Sequence, residues 1–244
     1  MAYTSWRGLV GGIKPSATPG THEDIVRLLP DGVGFIPLHM HLPEVRGPAR
    51  LEASRKQLDE KVALLAEQEV DLILPEGTAA YMIEGVKSER ALVAKWEKRH
   101  KIPVVPTGLN LVHAMKAMKL KRVIGLRPFT WEKGADFTGR YFRESGFDVL
   151  TIASPEGHDY RSVGDITPHE VYRTAKKAFL AHPGADGLFT VAGVMRCNDI
   201  VQAIEDDLGI PVISTLSARI WEIQKQLCIR QPIANNGSLL SDLP

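Results

Sequence analysis

Cysteine is scarce in this chain, and so is net charge. Two cysteines, Cys197 and Cys228, in 244 residues make no disulfide framework and suit a reducing compartment. Lysine and arginine number 30 against 29 aspartates and glutamates. That balance removes the electrostatic case for nucleic acid or an anionic membrane surface, so a charged ligand must be drawn in by local placement. No stretch approaches the roughly 20 apolar residues that span a bilayer. The opening segment MAYTSWRGLVGG carries one arginine and a very short apolar run, without the h-region of a secretory signal. The expected location is the cytoplasm. Also missing are the GxxxxGK(S/T) phosphate loop, the GxGxxG fingerprint and the GxSxG elbow. What is there is 24% charged and 44% apolar, the composition of an ordinary globular protein, and long enough to bury one large core or two small ones.

Short apolar runs alternate with helical patterns from end to end, which predicts βαβ units and a mainly parallel sheet. Strands are expected at Gly8 to Ile13, Val33 to Leu38, Val70 to Leu74 and Val104 to Val105. Helical spacing covers about Thr21 to Leu29, Ala49 to Glu67 and Ala79 to Arg99. The order then starts again. Strands are expected at Arg122 to Leu126, Phe147 to Ile152, Gly187 to Thr190 and Val212 to Ile213. Helices are expected over Phe137 to Glu144, Pro168 to Ala181, Cys197 to Leu208 and Thr215 to Gln226.

The two passes overlay. Val10-Gly11-Gly12-Ile13-Lys14-Pro15 matches Val123-Ile124-Gly125-Leu126-Arg127-Pro128. Val70-Asp71-Leu72-Ile73-Leu74 matches Ala185-Asp186-Gly187-Leu188-Phe189, and Ile102-Pro103-Val104-Val105 matches Ile210-Pro211-Val212-Ile213. The expected fold is α/β, with two similar Rossmann-like lobes whose parallel sheets are related by an internal pseudo-twofold duplication. The N-terminal lobe would take residues 1–106 plus 215–244, and the C-terminal lobe residues 107–214. The tail from Ile233 to Pro244 is expected to be partly loose or to lie across the first lobe.

Ligands of such sheets bind beyond the carboxyl ends of the strands. Facing lobes would therefore bring equivalent loops to one interlobe cleft: Lys14 to Thr18 with Arg127 to Trp131, and Glu76 to Ala79 with Val191 to Met195. The loop His39 to Pro43 joins them. In Pro75-Glu76-Gly77-Thr78-Ala79, Gly77 permits close backbone approach, and amides at a helix start can hold a carboxylate, with Thr78 adding a hydroxyl. The small loop Val191-Ala192-Gly193-Val194 can offer a second set of amides for an anionic intermediate. Both loops also read as tight turns that need small residues for packing. Lys14 and Arg127 hold equivalent places before Pro15 and Pro128; aimed into the cleft they would attract a dianion, and otherwise such strand-end cations sit in solvent. His39 and His41 alternate along a strand and would share a face. With Glu76 they are the candidates for a general base. A lone HxH falls short of the three ligands a metal usually takes. Cys197 lies near a helix start, where a dipole can lower a thiol's pKa, though most such thiols are simply core.

These segments resemble the aspartate/glutamate racemase superfamily, in particular its branch of arylmalonate decarboxylases and maleate cis–trans isomerases. The likeness rests on Gly8-Leu9-Val10 through Lys14-Pro15-Ser16, on Arg122-Val123 through Pro128-Phe129-Thr130, and on Val191 through Arg196-Cys197-Asn198-Asp199. It implies homo-oligomers that use no metal and no organic cofactor and that stabilise an enolate-like intermediate between lobes. Together with the loops above, the expected substrate-binding set is Lys14, Pro15, Ser16, Gly77, Thr78, Ala79, Arg127, Phe129, Thr130, Ala192, Gly193 and Val194. The two cysteine positions of the family's racemases and isomerases correspond to Gly77 and Ala192. Arylmalonate decarboxylases also have glycine at the first and keep a cysteine at the second; their tyrosine corresponds to Phe129 and their second hydroxyl residue to Ala79. Two-thiol proton transfer is therefore not expected. The expected protein is a cofactor-independent enzyme acting on a small mono- or dicarboxylate through an enediolate, most like an arylmalonate-type decarboxylase. The alternatives are an isomerase or racemase relative whose proton chemistry has moved to Glu76, His39 or His41, and a non-catalytic carboxylate-binding protein.

Overall fold

In the computed structural model, which describes residues 4–15, 20–41, 48–77, 82–128, 130, 136–159, 162–191, 193 and 195–244, the alternation of strand and helix resolves into two parallel sheets. The first contains β1 (Gly8–Pro15), β2 (Val33–Met40) and β3 (Leu72–Pro75) in the order β2-β1-β3. Val104 extends it through one parallel bridge to Ile73. The second contains β4 (Arg122–Leu126), β5 (Asp148–Ala153), β6 (Gly187–Thr190) and β7 (Val212–Ile213) in the order β5-β4-β6-β7. The two orders are the same. In each, the first strand is central, the second lies on one side, the third on the other, and the strand after Ile-Pro is outermost. Strands covered on both faces read as unbroken apolar runs; all four residues of β3 and of β6 are buried.

The repeat extends to a packing detail. Gly12 and Gly125 match across the two halves. A Cβ at Gly12 would overlap the Phe35 ring, and one at Gly125 would overlap Ile152 and Phe189. Each central strand is thus glycine where a neighbouring strand's large side chain presses against its backbone.

The helices are α1 (Gly20–Leu28), α2 (Pro48–Glu67), α3 (Val86–His100), α4 (Thr107–Ala117), α5 (Phe137–Glu144), α6 (Pro168–Ala181), α7 (Val201–Leu208), α8 (Thr215–Gln226) and α9 (Ser238–Asp242). The helix expected from Ala79 is interrupted in its described part: Met82 is helical, Ile83 to Gly85 are not, and α3 starts at Val86 after Gly85, whose φ of 87 lies outside the helical region. α4 and α8 are the central pair. They pack on each other, with α4 also touching β7 of the second sheet and α8 touching β3 and α1 of the first. Thr215 to Gln224 of α8 are all buried, so that helix has no solvent face over most of its length.

The tail is neither loose nor unstructured. Leu239 and Leu240 of α9 are 0% exposed, the Ser238 amide donates to Glu205 Oε2 at 2.7 Å, and Trp221 Nε1 donates to the Pro244 carbonyl at 3.3 Å. Apolar residues at the helix and polar anchors on each side fix it against α8 and α7. Among the described residues no helix is long and apolar enough to cross a membrane.

One buried ionisable contact joins α3 to α5: the Tyr141 hydroxyl donates to Glu89 Oε2. Burial pushes the Glu89 carboxyl up to about 7, against the opposing Tyr141 hydrogen bond. The folded protein therefore holds this proton at pH values where the unfolded chain has released it, so stability falls as pH rises through the window from the ordinary carboxylate value to about 7. Glu89→Gln, which keeps an acceptor for Tyr141, should raise stability by about 1–3 kcal/mol at pH 8 and change little near pH 4. Thermal melts of both proteins at the two pH values read this directly; a gap of equal size at both would contradict it.

Candidate active site

The carboxyl end of β1 gathers the charges. Lys14 pairs in register with His39 of β2, and Ile13 with Pro75 of β3. The Glu76 amide then donates to the Ile13 carbonyl at 2.7 Å. Register alone thus lines up Lys14, His39 and Glu76 across the edge of one sheet. Lys14 is 2% exposed, so it is not a strand-end cation resting in solvent. Burial lowers its pKa; Glu76 opposes that and Arg219 adds to it.

Arg219 comes from α8. Ser214 caps that helix through a reciprocal pair with Ser217, which fixes the first turn and the direction of the residue that follows it. The guanidinium is 2% exposed, and its Nη1 lies 2.9 Å from Glu76 Oε1. Glu76, expected as a free base, has its carboxylate engaged by this ion pair. The Arg219 Nε and Nη2 groups are buried with no acceptor among the described residues. His22 of α1 stands on the other side, with its ring centroid 4.9 Å from that of His39. Its Nε2 is buried without a partner among the described residues. Burial chiefly lowers its pKa, with Lys14 next, so the ring is biased to its neutral form.

The second sheet supplies the facing wall. The Val191 amide donates to the Leu126 carbonyl at 2.9 Å, carrying the chain from β6 to Gly193. A cavity of about 20 Å³ is lined by Asp24, Thr190, Gly193, Cys197, Thr215 and Arg219 among others. Arg219 therefore spans the site. It holds Glu76, next to Gly77, with one nitrogen, and it shares a cavity wall with Gly193. α1 is tied to the same loop by charge, since Asp24 lies 3.8 Å from Arg196 and Arg27 lies 2.9 Å from Asp199. Arg127, the counterpart of Lys14, leaves β4 with its amide on the Ala153 carbonyl at 2.9 Å. Its Nε and Nη1 are buried without acceptors among the described residues, and burial lowers its pKa against Asp136.

The other expected residues divide three ways. Pro15 ends β1 opposite Met40. Thr130 is exposed, and its hydroxyl lies 3.5 Å from Ser154 Oγ. His41 is exposed and lies beyond β2, its amide donating to Gln57 Oε1 at 2.9 Å. The shared face expected for His39 and His41 ends with the strand, and His39 meets His22 instead. Among the described residues no group of three or more His, Cys, Asp and Glu is arranged to hold a metal ion. Ser16, Thr78, Ala79, Phe129, Ala192 and Val194 lie outside the described residues.

Cys197 resolves to the core reading. It is 3% exposed, burial pushes its thiol up to about 12, and Sγ donates to the Met195 carbonyl at 3.1 Å. Iodoacetamide should therefore label the exposed Cys228 of the native protein and leave Cys197 unmodified, with ligand binding and any turnover unchanged. Peptide mass mapping after labelling checks it; modified Cys197 with loss of binding would contradict it.

Arg219 and His22 have no signal in the sequence. Both sit inside helices, away from any strand-end loop, and their burial follows from how α8 and α1 pack.

Comparison with known proteins is consistent along nearly the whole chain. The family model for arylmalonate decarboxylase matches residues 10–240. A maleate isomerase of Geobacillus stearothermophilus is 24% identical over 245 residues, covering 95% of this chain and 96% of that protein. An arylmalonate decarboxylase of Bordetella bronchiseptica is 22% identical over 217 residues, covering 87% and 88%. Among solved structures, a Nocardia farcinica maleate cis–trans isomerase variant with a covalently bound succinylcysteine intermediate superposes with a TM-score of 0.85 at 22% identity, covering 96% of this chain and 98% of that one. A crystal structure of arylmalonate decarboxylase gives 0.82 at 19% identity, covering 96% and 99%.

Proposed function

Because the chain belongs to the arylmalonate decarboxylase family, we propose that it is a cofactor-independent enzyme that releases carbon dioxide from a small dicarboxylate through an enediolate intermediate. The observation that carries this reading is Lys14, an amine that is 2% exposed at the end of the central strand, beside Glu76 and Arg219. A decarboxylation needs an electron sink and one proton. The carbon–carbon bond to the departing carboxylate breaks, and its electron pair passes to the α-carbon and the retained carboxylate. A cation at the retained group stabilises the charge that grows there, whereas one at the departing group would stabilise the ground state. Lys14, in its ammonium form, then gives a proton to the α-carbon, and water restores it. Lowering of its pKa by burial makes that ammonium a better acid than an ordinary lysine. Lys14 faces Glu76, the residue before Gly77. The resemblance puts a thiol at Gly77 in racemases and isomerases and a glycine in arylmalonate decarboxylases, so the amine supplies the cleft with a proton carrier from a strand instead.

The isomerase reading draws on the maleate isomerases at 24% and 22% identity. A covalent succinylcysteine requires a thiol that reaches the substrate. Neither Glu76–Ala79 nor Val191–Met195 contains a cysteine, and Cys197 is buried with its thiol at about 12. That removes covalent thiol chemistry; the one demand that a decarboxylation keeps, a proton donor, is met by Lys14. The test is a paired assay of carbon dioxide release from substituted malonates and of fumarate formation from maleate. Carbon dioxide without fumarate is expected; fumarate without carbon dioxide would replace this reading by the isomerase, and binding without either product would replace it by a carboxylate-binding protein.

A further inference from the structure

We infer that the Nε–Nη2 edge of Arg219 is the seat of a substrate carboxylate, held in place by Glu76 from behind; the inference rests on the carboxylate chemistry proposed above. Nε–H and Nη2–H of a guanidinium point the same way and form the fork that accepts a carboxylate through two parallel hydrogen bonds. In Arg219 that edge is buried and has no acceptor among the described residues, while Nη1 lies 2.9 Å from Glu76 Oε1. Buried donors without partners are costly, and donors on a charged group more so. A functional acceptor explains why the chain retains them.

The neighbouring polar groups are already committed. Thr215 Oγ1 donates to the Thr190 carbonyl at 2.7 Å, and the Thr215 amide lies 3.4 Å from Thr190 Oγ1. Cys197 Sγ donates to Met195, and Ser214 Oγ lies within reach of Ser217 and Asn198. Asp24, the one carboxylate in the cavity wall that could repel an anion, is paired with Arg27 at 3.2 Å and lies 3.8 Å from Arg196. Of these polar lining groups, the Arg219 fork alone lacks a partner. The cavity that Arg219 lines, about 20 Å³, has room for one water.

Arg219 would thus hold the retained carboxylate and take up the charge of the enediolate. Succinate and its neutral counterpart succinamide, titrated calorimetrically into the whole protein, test this without any turnover. Wild type should bind succinate and discriminate against succinamide. Arg219→Met should weaken succinate by about tenfold to a hundredfold and leave succinamide unchanged. If that variant fails to fold, Arg219→Lys decides, since it keeps the charge beside Glu76 and loses the fork; it should still weaken succinate severalfold. Equal succinate affinity in wild type and variant, or no succinate binding by wild type, would overturn the inference. Absence of carbon dioxide release with Arg219-dependent succinate binding would leave it standing and remove only the decarboxylase reading.

Discussion

Lys14→Met should lower turnover by about a hundredfold to ten-thousandfold, the usual range for loss of a general acid or base, while succinate still binds. The change removes a buried amine and keeps a side chain of similar length. In wild type the required ammonium form is lost as pH rises through the lowered Lys14 value, so the rate should decline at a pH below the ordinary lysine range. Stability has the opposite sign. Below its folded pKa Lys14 is charged in both states; between that value and the ordinary one the unfolded chain holds a proton that the folded protein does not. Folding stability from this group therefore increases as pH rises through that window. Lys14→Met should abolish both the alkaline fall in rate and this slope. A variant that turns over like wild type would remove Lys14 from the chemistry.

Glu76→Leu should be the most damaging change to stability. Arg219 and Glu76 are 2% and 7% exposed, and removing one partner leaves a guanidinium buried and uncompensated. Breaking such a pair costs about 3–5 kcal/mol, and in a chain of this size that lowers the melting temperature by roughly 6–20 °C. The pair itself contributes far less than that, because the attraction is offset by desolvation of both ions. Glu76→Leu combined with Arg219→Leu should therefore recover most of the lost stability and none of the succinate binding. A single variant that melts within a degree of wild type would mean that Arg219 finds another partner or leaves the interior.

Much of the fold is readable from residue order because a parallel strand buried on both faces is a short apolar run, and because the runs recur in the same sequence in both halves. Gly12 and Gly125 recur because large side chains of the neighbouring strands press on them. Strand ends also expose the first layer of the site. Lys14 and Arg127 stand out by their matched positions, but whether a strand-end cation is buried depends on the helices that cover it, and only the structure gives that for Lys14. His39 and His41 mislead for a local reason: alternation fixes a common face only while the strand lasts, and β2 ends at Met40. Arg219 is illegible because α8 carries Ser217, Arg219, Glu222 and Gln224 among its apolar residues, a pattern that reads as half-exposed. Each of these polar groups is buried, and internal partners such as His113 for Glu222 at 2.8 Å offset the cost. No periodicity announces partners that lie a hundred residues away.

A crystal structure of Lys14→Met soaked with a substituted malonate tests the arrangement most directly. One carboxylate should lie on Arg219 Nε and Nη2, with the α-carbon against residue 14 and Glu76 still on Nη1. A malonate bound away from Arg219, or one whose α-carbon faces His39 or Cys197 in place of residue 14, would contradict it.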